Sequence, residues 1–263
     1  VHDDCAPAKD ALERLLEGVA EKPQVAVAGP KLRGWHDRKH LLEIGVSIAT
    51  NGARWTGLEY REQDQGQHDD ERDVLAVSTA AMLIRREVFE ELGGFDPKLS
   101  LFRDDVDFGW RVRAAGHSVI AVPEAVAFHG EAASNERRSI DVDDALLHRP
   151  LLLDRRHAAY VLLANASLLY LPILGLQLLF GALARAVGYL IAKLPGYALD
   201  ELAAVALVII KPQEIFAARR MRRSQRLLSG SAVRPFLPPR GVQLRLAFER
   251  ARNAVEGYLR RRM

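Results

Sequence analysis

Leu101-Phe102-Arg103-Asp104-Asp105-Val106-Asp107-Phe108-Gly109-Trp110-Arg111 places three carboxylates within four positions. The turn Gly93-Gly94-Phe95-Asp96-Pro97 leads into this stretch, and Gly116 stops it. The pattern predicts a helix from Asp104 to Ala115, then an apolar strand from Val119 to Val122 that Pro123 ends. Carboxylates in a first helical turn are stabilised by the helix dipole by about 0.3–1 kcal/mol each. Asp107 and Arg111 have the spacing to pair along one helix face. Three carboxylates exceed what capping needs, so a base or a metal ligand stays open beside a capped helix.

Working outward, the same step from helix to strand recurs. Asp10 to Ala20 carries Leu12, Leu15, Leu16 and Val19 at helical spacing. Val25-Ala26-Val27-Ala28 reads as a buried strand ended by Gly29-Pro30, and Glu43 to Ala49 as a strand before the turn Asn51-Gly52. The uncharged run Val74 to Ile84 precedes a short amphipathic helix, Arg85 to Leu92. Ala125 to His129 is a further extended piece. Strands alternating with helices imply an α/β layered fold.

The single cysteine, Cys5, excludes an internal disulfide and a cysteine-built zinc site. The formal net charge of +3 hides an asymmetry: beyond Pro212 there are 13 arginines against 3 glutamates, so the preceding part is net acidic. A basic end suits an anionic surface. It lacks regular aromatic interleaving, which favours membrane lipid over nucleic acid.

Ala132 to Leu153 is polar with little periodicity and reads as a linker or surface excursion. Ala158 to Ala184 then carries no charged residue, about 40 Å of helix against a bilayer core of about 30 Å. Ala186 to Ile210 is interrupted by Lys193, Pro195-Gly196 and Asp200-Glu201. Arg155-Arg156 stand before the first apolar stretch, and Arg219, Arg220, Arg222, Arg223 and Arg226 after the second. Arginine-rich flanks favour the cytosolic side, so both ends want the same side. A helical hairpin, or two helices lying in the interface, satisfies this better than one crossing or a buried soluble helix.

Elsewhere, His2-Asp3-Asp4 supplies adjacent carboxylates suited to Mg2+ or Mn2+, or simply a polar loop. His129, at the end of an apolar strand, is either structural or able to complete a metal shell begun by Asp4.

Taken together and in order, five segments resemble the catalytic domain of family 2 glycosyltransferases. They are His2-Asp3-Asp4, Val77 to Arg86, Gly93-Gly94-Phe95-Asp96, Phe102 to Asp107, and Val122-Pro123-Glu124-Ala125 leading to His129. The later apolar and arginine-rich part resembles the membrane tail of actinobacterial polysaccharide-assembly members. The resemblance implies an α/β chain holding the C-terminal half of a GT-A (Rossmann-like) domain, then apolar membrane-associated helices and a basic helical tail. The expected divisions are a partial catalytic domain at 1–131, a linker at 132–156, a helical hairpin at 157–211 and a juxtamembrane tail at 212–263. The half that cradles the nucleotide base is expected upstream of this chain.

The resemblance also implies roles. Asp105 falls on the catalytic base with Asp104 beside it. Asp4, with Asp3 and His129, falls on the ligands of a divalent metal, Mg2+ or Mn2+. Thr79, Ala80, Arg103 and Trp110 fall on substrate contacts. The implied activity is inverting, metal-dependent transfer from a nucleotide sugar to a glycan or polyprenyl-linked acceptor. It would serve cell-envelope polysaccharide synthesis at the cell membrane, with the catalytic domain and basic tail cytoplasmic. The Gln-x-x-Arg-Trp motif of processive synthases is absent from the sequence, which implies addition of one or a few sugars. The rival reading is a non-catalytic membrane anchor or assembly module with a decayed transferase domain.

Overall fold

A computed structural model describes residues 1–130, 149–239 and 241–242. Most of the expected linker and the end of the basic tail lie outside the described residues. The elements run β1 (Cys5–Pro7), α1 (Ala11–Val19), β2 (Val25–Gly34), β3 (Leu41–Glu43), β4 (Ser47–Ile48), β5 (Arg54–Trp55), β6 (Arg72–Asp73), β7 (Leu83–Ile84), α2 (Arg86–Glu91), α3 (Asp104–Ala114) and β8 (Ser118–His129). Four longer helices follow: α4 (Pro150–Asn165), α5 (Leu171–Ile191), α6 (Pro195–Ile210) and α7 (Pro212–Gln225).

The main sheet has the order β1-β8-β2-β3, with β6 added to β8 and β7 to β2. Its centre is the parallel pair β2 and β8. Val25, Ala26, Val27 and Ala28 are all buried, as expected of a strand covered on both faces. On one face, α1 packs Leu15 with Val25, Ala28, Ile120 and Val122. On the other, α3 packs Phe108 and Val112 with Val27, Val77 and Val119. Phe108 is fully buried, a contribution of about 1.5–3 kcal/mol from one side chain.

β2 and β8 run longer than the sequence suggests. Each continues through the proline expected to end it. The pairing steps from Pro30 opposite Val122 to Lys31 opposite Val126, so the bulge at 123–125 accommodates Pro123 without a ladder hydrogen bond. The expected strand from Glu43 to Ala49 is instead two short strands, separated where Gly45 takes φ +78°.

The C-terminal helices form a third layer on α3. Buried Ala158, Ala159, Val161 and Leu162 of α4 belong to one core cluster with Val106 and Trp110 of α3, Leu174 and Leu178 of α5, Val208 of α6, and Ile215 and Ala218 of α7. Residues 150–156, expected at the end of a linker, are the first turns of α4. The long uncharged run is likewise divided. Its first part completes α4, the chain breaks at Ala166-Ser167, and α5 begins at Leu171.

The charges around these helices are largely internal. Glu201, fully buried in α6, accepts from Arg155 Nε at 2.8 Å and Arg185 Nε at 2.9 Å. Arg222 of α7 is 4% exposed and reaches Asp96 at 2.8 Å and Asp107 at 2.7 Å. Arg219 donates to the carbonyls of Leu163 and Ala166 at 2.6 and 2.9 Å, and Arg226 to that of Asn165 at 2.7 Å. These two arginines satisfy the carbonyls left open at the end of α4. Arg220 and Arg223 face solvent.

The 24 residues Leu168–Ile191 are long and apolar enough to cross a membrane, with a mean hydropathy of 1.6 in the most apolar window. Only one stripe of α5 is buried, at Leu174, Leu178, Ala182 and Ala186. The opposite face exposes Ile173, Leu176, Phe180, Leu183, Val187 and Leu190.

Candidate active site

Two clusters of chemistry-bearing side chains line one cavity. The first is set by strand register. β1 pairs antiparallel with β8, with Cys5 opposite His129, so the residues just before β1 lie beside the end of β8. The Gly130 amide donates to the Asp4 carbonyl at 2.9 Å, and the His2 amide to the Ala80 carbonyl at 2.9 Å. One donor atom each from His2, Asp4 and His129 lies within 4.8 Å of the other two. His129 Nε2 is 3.3 Å from Asp4 Oδ1, and the two imidazole rings meet edge-on with centroids 6.0 Å apart. Loss of solvation, then the neighbouring His129, holds His2 below the usual imidazole range. This keeps it neutral and able to ligate. Two imidazoles and one carboxylate, His2 exposed and Asp4 and His129 half-buried, fit a divalent cation that accepts mixed nitrogen and oxygen ligands. Asp3 is exposed and lies outside this group of three.

The second cluster is the head of α3. Phe102 and Arg103 take φ +63° and +67°, successive left-handed residues without glycine that cost about 1–2 kcal/mol each. Arg103 is held there by Asp154 of α4, which accepts from its Nε at 2.7 Å and its Nη2 at 3.0 Å. The chain emerges with Asp104 and Asp105 in the first helical turn. Asp105 is 3% exposed, accepts from the Val106 amide at 2.7 Å, and pairs with Arg54 Nη2 at 2.5 Å. The Arg54 guanidinium is shared, since Glu43 takes its Nε at 3.0 Å and its Nη2 at 2.9 Å. Asp104 differs. Burial first, then the adjacent Asp105 charge, pushes its carboxyl up to about 6, against the pull of helix amides and the Thr79 hydroxyl.

The cavity has a volume of about 680 Å3 and is lined by both clusters. Thr79 and Arg103 line it as well. Ala80 and Trp110 do not join them: both are buried in apolar clusters, Ala80 with Leu32 and Ala127, and Trp110 with Ile48 and Leu75. Asp107 is fully buried between Arg111 and Arg222 and is bonded to Asn165, a structural post.

The profile described as "Glycosyltransferase like family 2" matches residues 1–141. The chain belongs to this family. Among its curated relatives are an O-antigen biosynthesis protein, RfbC, of Myxococcus xanthus, 36% identical over 148 residues, 52% of this chain and 11% of that protein. Another is an N-acetylglucosaminyl-diphospho-decaprenol L-rhamnosyltransferase of Mycobacterium tuberculosis, 39% identical over 138 residues, 48% of this chain and 44% of that one. The chain therefore spans less than half the length of these relatives. A structure of GalNAc-T7 with UDP, GalNAc and Mn2+ aligns at a TM-score of 0.40 with 14% identity, over 61% of this chain and 30% of that one.

Several cavity residues of this family 2 chain carry no distinct sequence signal. Glu43 stands at an inward position of a three-residue strand, where alternation alone could have marked it. Arg54 follows the Asn51-Gly52 turn that brings β5 back against β4. Asp154, Arg155, Tyr189 and Tyr197 reach the cavity from α4, α5 and α6, helices whose sequence suggested only linker and membrane anchor.

Proposed function

We propose that this chain is the catalytic part of an inverting glycosyltransferase that moves a sugar from a nucleotide-sugar donor to a glycan acceptor carried on a polyprenyl lipid. The observation that carries the reading is the one cavity that joins a three-ligand cation site to two helix-terminal carboxylates, Asp105 buried and Asp104 half-buried. The names of the curated relatives support envelope polysaccharide assembly as the setting.

Asp4, His129 and His2 would hold a divalent cation, Mg2+ or Mn2+. Such an ion neutralises charge on a nucleoside diphosphate. Asp105 is the base: its carboxylate accepts the proton of the acceptor hydroxyl as that oxygen attacks the anomeric carbon. Attack opposite the leaving diphosphate inverts that centre. Arg54 fixes the Asp105 carboxylate in place, and Glu43, by sharing Arg54, moderates its pull on the base. Asp104 and Thr79 stand beside the base to bind substrate hydroxyls.

The same reading places α5 and α6 in the cytosolic membrane interface. The buried stripe of α5 rests on the catalytic layer, and Arg185 Nη1 donates to the Asn51 carbonyl at 3.4 Å. A helix so tied to a polar loop lies along the bilayer surface with its apolar face down, rather than through the bilayer.

The test is Asp105→Asn in the full-length protein, assayed by nucleoside diphosphate release with polyprenyl-diphosphate-linked sugars, with and without chelator. Loss of transfer by a factor of about 10²–10⁴ is expected, with cation-dependent donor binding retained. Unchanged turnover would remove Asp105 from the base role.

A further inference from the structure

The wall of the catalytic cavity facing the C-terminal helices changes character in an ordered way. Inside, Tyr189 of α5 and Tyr197 of α6 line the cavity that also holds Asp104 and Asp105. Their rings lie 5.5 Å apart and tilted by 38°. Tyr197 also bounds a second recess of about 310 Å3 over the α5–α6 turn. That recess carries Arg149, Lys193 and Asp200. Arg149 and Asp200 are ion-paired with each other, so among the described residues Lys193 leaves the recess with one net positive charge. Leu194 forms the apolar rim of this recess, and Leu190 and Ile191, next to Lys193 in the chain, are exposed.

From the base outward, the surface is therefore aromatic, then cationic, then apolar. A polyprenyl-diphosphate sugar has the matching order: a sugar ring that stacks on aromatic faces, an anionic linkage, and a hydrocarbon chain. Resting on the transferase reading above, we propose that the α5–α6 tip is the acceptor subsite for such a molecule. Tyr189 and Tyr197 receive the sugar, Lys193 meets the diphosphate, and the lipid leaves along Leu190, Ile191 and Leu194. The hairpin then determines which acceptor is used, in addition to holding the protein at a membrane.

Sequence could not assign this role, because Lys193 and Pro195-Gly196 read as interruptions in an apolar stretch. Structurally they form the turn between two helices, with Lys193 itself at φ +59°.

The experiment is equilibrium binding of a fluorescent short-chain polyprenyl-diphosphate N-acetylglucosamine to the full-length protein in mild detergent. No donor is present, so the readout is independent of transfer. Lys193→Glu and Tyr197→Ala are each expected to weaken binding about tenfold or more, and Tyr197→Phe to retain it. The same lipid bearing no phosphate should lose sensitivity to Lys193→Glu, and soluble N-acetylglucosamine 1-phosphate should bind far more weakly than the lipid-linked probe. Wild-type affinity in both Lys193→Glu and Tyr197→Ala would overturn the subsite, even if Asp105-dependent transfer is intact. Conversely, binding that follows these variants in a protein without transferase activity would refute the transferase reading and leave a lipid-diphosphate site in place.

Discussion

Replacing Asp104 with asparagine is expected to stabilise the protein near neutrality and to leave it almost unchanged in acid. The carboxyl sits in the first turn of α3 and is pushed up to about 6, by burial and then by the charge of Asp105. In the unfolded chain an aspartate titrates near 3.9. Between these values the native state holds more protons than the unfolded one, so stability falls as pH rises through the interval. The relative stabilisation is complete below the lower value and gone above the upper one. Two pK units correspond to about 3 kcal/mol. Losing a carboxylate at the helix N-terminus returns about 0.3–1 kcal/mol, and partial exposure at the cavity wall screens part of the remainder. The net gain for Asp104→Asn is therefore about 1–2 kcal/mol at about pH 7.5, shrinking to a few tenths at about pH 4. Urea unfolding in mild detergent at the two pH values measures it. An equal difference at both, or a variant less stable than wild type near neutrality, would refute the coupling of Asp104 to burial and to Asp105.

Two further substitutions test the packing behind the site. A Cβ on Gly109 would come within 2.4 Å of the Leu75 carbonyl oxygen and 2.6 Å of the Ala76 Cβ. Gly109→Ala should therefore lose at least about 2 kcal/mol, although alanine is the better helix former by about 1 kcal/mol; thermal unfolding that shows a gain would contradict the close approach of α3. Glu201→Ala leaves Arg155 and Arg185 without their shared carboxylate, and a loss of about 3–5 kcal/mol is expected, read by detergent unfolding. A change under about 1 kcal/mol would show that the buried ion group does not hold α4, α5 and α6 together.

The first 130 residues were legible because their signals are local. Glycines at 93–94 and 116 punctuate α2 and α3, and the apolar spacing of α1 reads as a helix, although only Leu15 and Val19 of its spaced residues pack on the sheet while Leu12 and Leu16 are exposed. Asp4 and His129 could be offered as partners from residue type and singled out through the ordered motifs; the register of β1 on β8 is what brings them together. His2 joins that group by the same register, which a motif reading centred on Asp3 and Asp4 passes over. Trp110 shows the opposite failure. It stands three positions after Asp107, yet the helical turn carries it into the apolar cluster between α3 and the C-terminal helices. The C-terminal charges were only partly legible, for a third reason. Arg155 and Glu201 lie 46 positions apart, and Arg222 and Asp107 lie 115 apart, so nothing in a local window says that these charges neutralise each other inside the protein. Counted as flanks, they argue for lipid; paired, they argue for docking.

That docking changes what the C-terminal helices contribute. The left-handed turn at Phe102 and Arg103 aims the head of α3 at the cavity, and a strained turn of this kind persists only when its surroundings fix it. Here the restraint comes from Asp154 on α4. Asp154 also accepts from Arg155 at 3.3 Å, Arg155 is held by Glu201 of α6, and Glu201 by Arg185 of α5. The position of the carboxylates thus depends on a continuous chain of charge pairs reaching into the apolar helices. A hairpin that served only as an anchor would have no need of buried carboxylates at its contact with the α/β layer. The same helices that present an apolar face outward are therefore built into the wall, and into the alignment, of the cavity that Asp104 and Asp105 line.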